Sequence, residues 1–193
     1  MNIWRRSLIF IVLMILVLVV TACSEKIDTN MSTEMPDFEF TTQDEDIMSL
    51  NNLKGDWWIT YMSYTNCRTV CPQTTSNMVR IQEDLMKNGL EPRIISFSVD
   101  PDNDTPDALR QYAEENGVQL DTWSFLTGYE FDTIQEISEE AFHAVLEKGA
   151  VEQMSHSYMF YLVNPDGEIV KKYDGMAKEG SDELIEDVKS VLK

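Results

Sequence analysis

Histidine, cysteine and basic side chains are all scarce in this 193-residue chain, and each shortage narrows what it can be. Only 15 Lys and Arg stand against 34 Asp and Glu, a formal charge of -19. A polyanion gains no counterion release from another polyanion, so nucleic acid is excluded as a natural partner. Three cysteines are too few for a disulfide scaffold. The apolar run Leu8–Val20 is 13 residues long, short of the roughly 20 that a membrane-spanning helix needs. No proline occurs between Pro106 and Pro165, and there is no internal repeat or low-complexity segment. What the chain does have, 43% apolar residues and 10% aromatics, is enough for one folded domain and too much core for a disordered chain.

Arg5 and Arg6 precede the apolar run, and small residues follow it up to Cys23, the layout of an export signal. Val20-Thr21-Ala22-Cys23 resembles a bacterial lipobox, in which cleavage before the cysteine leaves that residue lipidated. The chain therefore divides into a lipoprotein signal peptide (1–22), a lipidated Cys23 with a flexible tether (23–36) and one α/β domain (37–193). Losing two arginines and no acid takes the mature charge to -21. Such a surface is repelled by anionic lipid, so the acyl chains must supply the membrane attachment. The expected location is the extracytoplasmic face of the bacterial cell membrane. The acid excess is read as a solvated surface, with no binding role. Cys67 and Cys71 are the thiols left over, in an oxidising compartment.

Asp56–Tyr64 is aromatic and β-branched, a buried strand that runs straight into Cys67. After Pro72 the apolar residues Met78, Ile81, Leu85 and Met86 fall at helical spacing, and Gly89 stops the helix. A second strand follows at Arg93–Val99. Thr105-Pro106 then opens a helix that ends near Gly117. Trp123–Leu126 is a short strand, and a helix is expected from Phe131 to Lys148 with Ile134, Ile137, Ala141 and Val145 inward. Tyr158–Val163 and Glu168–Tyr173 flank the turn Asn164-Pro165-Asp166-Gly167, and Ser181–Leu192 is a closing helix. Such an order suggests an α/β sandwich of thioredoxin type, although pattern alone leaves several topologies open.

Chemistry concentrates in Tyr64-Thr65-Asn66-Cys67-Arg68-Thr69-Val70-Cys71-Pro72. Residues four apart on a helical turn face the same way, so both sulfurs can meet one ion or each other. Free N–H groups and the helix dipole at a strand-to-helix junction favour thiolates, with Arg68 between them. The spacing alone does not separate a dithiol/disulfide site from a metal site. A closed zinc site built from these cysteines and from histidine alone would need His143 and His156 together. His143 lies half a turn off the inner stripe of its expected helix, on a solvated face. His156 directly precedes a strand, and with two thiolates it completes a soft three-ligand set suited to copper. Asp100 ends the second strand, where open α/β sheets gather function. Asp102 and Asp104 are read as turn residues, Met154 as packing, and Trp57 and Trp58 as core and strand-edge residues.

These residues are similar to the Sco/SenC family of membrane-attached copper proteins that assist cytochrome c oxidase assembly. The resemblance rests on the Tyr64–Pro72 motif, Ser98-Val99-Asp100-Pro101 with Asp104-Thr105-Pro106, Trp123–Gly128, and His156 followed by Tyr161–Gly167. It implies a thioredoxin-like fold, a central mixed β-sheet flanked by helices, in which Cys67, Cys71 and His156 bind Cu(I) or Cu(II) and Asp100 is an acidic neighbour. It further implies copper delivery to, or cysteine reduction at, the dinuclear copper centre of oxidase subunit II. On this reading the protein is a metallochaperone rather than an enzyme, and oxidation of the two cysteines to a disulfide abolishes binding. Tyr64 stands where the family commonly has phenylalanine, and Ser155 where an acid often precedes the histidine. Two other readings are a thiol-disulfide reductase acting on oxidase cysteines and a peroxide-reducing enzyme using Arg68. The second leaves the paired cysteines and His156 unexplained, and the missing proline before the late strand weakens the case for a general oxidoreductase.

Overall fold

Strand β4 (Trp58–Ser63) is buried along its whole length because it has a strand on either side and side chains packed over both faces. Strands β5 (Arg93–Ser98) and β6 (Trp123–Thr127) continue from it in parallel, while β9 (Met159–Val163) pairs antiparallel on its other side. Strand β10 (Glu168–Asp174) extends that side, then β1 (Thr33–Glu34); β2 (Glu39–Thr42) and β3 (Ile47–Ser49) extend the other. The mixed eight-stranded order is β1-β10-β9-β4-β5-β6-β2-β3. A separate small hairpin pairs β7 (Glu147–Lys148) with β8 (Met154–Ser155). This computed structural model describes residues 27–149 and 153–192; the expected signal peptide, the expected lipidation site Cys23 and the start of the expected tether lie outside them.

The period of two in the strands distributes side chains to two cores. Ile59 and Tyr61 meet Met78, Ile81 and Leu85 of α1 (Cys71–Lys87), Leu109 of α2 (Pro106–Glu115) and Leu184 and Val188 of α4 (Lys178–Val191). Trp58 and Met62 face the other way, toward Phe38, Phe142 and the Ile134 and Ile137 of α3 (Phe131–Glu140). Parallel strands covered on both faces need apolar residues of both parities, which explains the unbroken apolar runs. The architecture is the thioredoxin-like α/β fold, a central mixed sheet flanked by helices. Thr105 caps α2 by accepting from the Ala108 N–H at 3.2 Å, with Pro106 in the first turn. Asn164 closes the β9–β10 turn by accepting from the N–H groups of Asp166 and Glu168, and Gly167 takes the positive φ of 90° that the turn requires. Among the described residues no helix is long and apolar enough to cross a membrane.

Three expectations need correction. The helix beginning at Phe131 ends at Glu140, not Lys148. Ser138 takes the chain out of the helix by donating to the Ala144 carbonyl at 2.8 Å, so Leu146 is buried and Val145 is 63% exposed. His143 is solvent-exposed as expected, but it sits in this turn at φ 50°, where its Nε2 meets the Thr33 hydroxyl at 2.9 Å. The segment 23–36, expected to be a flexible tether, is structured over its later part. From Asn30 onward the chain is stitched to β10: Met31 donates to the Val170 carbonyl, Met35 to that of Gly167, and Asn30 exchanges bonds with the Lys172 backbone. A polar, aperiodic segment can fill an edge strand, because an edge asks for backbone groups more than for apolar side chains. Finally, the β2–β3 hairpin is an addition that the alternation of strands and helices does not announce.

Candidate metal centre

Both cysteines stand where β4 hands over to α1. Cys71 is the first residue of that helix and its N–H donates to Cys67 Sγ at 3.3 Å, the capping role that a side-chain oxygen usually fills. The Thr69 hydroxyl lies 3.8 Å from the same sulfur. Cys67 remains 8% exposed and Cys71 is fully buried; both are unbridged. The Cys71 S–H directed at Cys67 is the main reason the Cys67 thiol is held well below the ordinary thiol range, aided by His156 and the loop N–H groups. Cys71 moves the opposite way, raised by that same hydrogen bond and by its burial. One proton shared in this way leaves a thiolate at the mouth and a thiol behind it.

His156 arrives from the far end of the chain. It lies in the short segment between β8 and β9, and its Nε2 is 3.5 Å from Cys71 Sγ. The Ser157 carbonyl sits 2.8 Å from Nδ1. A carbonyl only accepts, so Nδ1 carries a proton, and Nε2 is the ring nitrogen left facing the sulfurs. Ser157 is itself fixed, its hydroxyl bonding Tyr161 at 3.0 Å and accepting from the Met159 N–H. Cys67 Sγ, Cys71 Sγ and a His156 ring nitrogen all lie within 4.8 Å of one another. Two sulfurs and one imidazole nitrogen, largely withdrawn from water, form the soft donor set that fits copper and leaves a further position open.

Among the acids, Asp104 departs from the sequence reading. Asp100 is buried at this end of the sheet, but its carboxylate accepts from the Asn103 side chain at 2.9 and 3.0 Å and stays outside the three-donor cluster. Asp102 is exposed and pairs with Lys148 at 3.2 Å. Asp104, read as a turn residue, is fully buried and anchors the cysteine loop. Its carboxylate accepts from the Thr65 N–H at 3.2 Å, the Thr65 hydroxyl at 2.6 Å and the Ser98 hydroxyl at 2.5 Å. Burial pushes the Asp104 carboxyl up, and these bonds pull it partly back. Its place between two turn-forming neighbours hid it; the one signal was an acid followed directly by a helix cap that needs no second acid. Arg68 is exposed, and Met154 packs on the core as expected.

Residues 27–193 match the family model described as SCO1/SenC. The SCO1 protein homolog of Bacillus subtilis is 40% identical over 171 residues, 88% of this chain and 89% of that protein. A solved structure of BsSco, described as a member of the Sco family of cytochrome c oxidase assembly proteins with a disulfide switch, superposes with a TM-score of 0.76 at 38% identity, covering 86% of this chain and 97% of that one. Yeast Sco1 with copper bound superposes with a TM-score of 0.67 at 25% identity, covering 82% and 90%. With the whole described domain matched and two thiols and an imidazole converging from the two halves of the sequence, the chain belongs to the SCO1/SenC family.

Proposed function

We propose that this chain is a membrane-anchored copper-binding assembly factor for cytochrome c oxidase, with Cys67, Cys71 and His156 as the copper ligands. The observation that carries the reading is the convergence of these three donors within 4.8 Å. A thiolate at Cys67 and a His156 ring already turned with Nε2 toward the sulfurs prepare two of the three ligands in advance; the third, Cys71, releases its proton on binding. Copper here is cargo. When an external disulfide takes two electrons from the thiolate–thiol pair and is itself reduced, one proton leaves, the Cys67–Cys71 bond forms and both sulfur ligands are lost, so redox state gates binding. A lipid on Cys23 holds the domain at the extracytoplasmic face, and subunit II of the oxidase, with its dinuclear copper centre, is the recipient. Support for copper comes from the copper-bound yeast relative, and for assembly and the redox gate from BsSco.

Titrating Cu(II) into the reduced protein should produce a thiolate-to-copper charge-transfer band that is shifted and weakened in His156→Ala. No band, or an identical one in the variant, discards the three-ligand reading. A second reading is favoured by the asymmetry of the sulfurs, a stabilised thiolate at the surface in front of a buried thiol, which is what a thiol-disulfide reductase needs. Turnover of a disulfide substrate by metal-free protein, lost in Cys67→Ser and untouched in His156→Ala, would establish it.

A further inference from the structure

The copper ligands come from two separate pieces, and the piece that brings His156 is weakly built. Strands β7 and β8 pair over only two residues each, and a two-stranded ribbon of that size is marginal by itself. Its ion pair from Lys148 to Asp102 is solvent-exposed, a kind of contact that contributes little. Besides the packing of Met154, hydrogen bonds from one side chain tie the hairpin to the cysteine side. Tyr64, the last residue of the strand segment before the cysteine loop, is 1% exposed and turns its hydroxyl away from β4 toward β8. There it accepts from the Met154 N–H at 3.2 Å and donates to Gln153 Oε1 at 3.4 Å. Its ring also meets the His156 imidazole edge to face, with centroids 5.6 Å apart and planes at 80°.

We propose that Tyr64 is a positioning residue for His156: its hydroxyl clamps the β8 hairpin against the cysteine loop and its ring sets the imidazole plane, so the third ligand is in place before the metal arrives. The inference rests on the three-ligand reading above. Without the hydroxyl, the hairpin spends part of its time swung away, and the apparent affinity falls by the fraction of molecules still holding the ring in place. Loss of this clamp weakens binding about two- to ten-fold, the range for removing one hydrogen-bonding group.

The test is a Cu(II) titration of the reduced full chain, wild type against Tyr64→Phe, His156→Ala and the double variant. Tyr64→Phe should raise the dissociation constant in the wild-type background and leave it unchanged in the His156→Ala background, where there is no imidazole to place. In metal-free protein the same substitution should speed deuterium exchange at the Met154 amide while the global unfolding midpoint stays put. Gln153→Leu, which keeps the tyrosine and removes one of its two bonds, should shift affinity the same way by less. Equal weakening in both backgrounds, or none in either, overturns the positioning role. If His156→Ala itself leaves affinity unchanged, the ligand assignment has failed first and this inference falls with it.

Discussion

Replacing Asp104 with alanine tests how the cysteine loop is held. The carboxylate serves three donors: the Thr65 N–H, the Thr65 hydroxyl and the Ser98 hydroxyl. Thr65 is half-buried, so its hydroxyl can turn to water, whereas its N–H and the 2%-exposed Ser98 hydroxyl lose their partner inside the protein. Two such orphaned donors cost about 2–4 kcal/mol. For a folded unit of this size that lowers Tm by about 5–12 °C. The pH dependence has a definite sign. Burial holds the Asp104 carboxyl above its ordinary 3.8 in the folded state. A group raised in this way contributes most below its unfolded value and loses that contribution as pH rises through the folded one. The gap in Tm between wild type and Asp104→Ala should therefore be widest near pH 4 and narrow toward neutrality, as read by circular dichroism on metal-free protein. A gap under about 2 °C near pH 4, or one that widens as pH rises, refutes the anchoring role.

The two thiols should react unequally. Iodoacetamide at about pH 6 should alkylate Cys67 and spare buried Cys71 in the metal-free reduced protein, with a rate nearly flat over the range where an ordinary thiol speeds up about ten-fold per pH unit. Peptide mass spectrometry decides it, and equal labelling of the two counts against the shared proton. Gly175 is a second sensitive point, since a Cβ there would lie 2.2 Å from the Tyr158 carbonyl and 3.0 Å from the Phe160 ring. Gly175→Ala should destabilise the fold by about 1–3 kcal/mol, because backbone has to give way. Because Tyr158 is two residues from His156, the variant should also bind Cu(II) more weakly; an unchanged urea midpoint would show that the segment yields freely.

The central strands were legible because they are buried on both faces and bounded by turn residues; Asp56–Tyr64 narrows only to Trp58–Ser63. The donors were legible for a chemical reason, since so few cysteines and histidines leave few sets to consider. Less visible were features set by tertiary contacts. Ile134, Ile137 and Ala141 keep helical spacing and Val145 extends it, yet Ser138 bonds to Ala144 and the helix stops short. Asp104 looked like its exposed neighbour Asp102, and what distinguishes it is Thr65 and Ser98 approaching from other elements. Spacing also cannot report the Tyr64 hydroxyl, whose partners lie some 90 residues along the chain.

The stitched N-terminal segment gives the molecule a direction. Met35 lies by Gly167; reading backward, Thr33 pairs with Ile169 and Asn30 bonds Lys172, so the segment points from the β9–β10 turn toward the sheet end that carries Cys67. Only six residues lie between Cys23 and Asn30, and the seven Cα-to-Cα steps reach at most about 25 Å even when fully drawn out. The lipid proposed for Cys23 would then act as a short leash on the Asn30 end of this edge, limiting how far that edge of the domain can stand from the headgroups to roughly that distance.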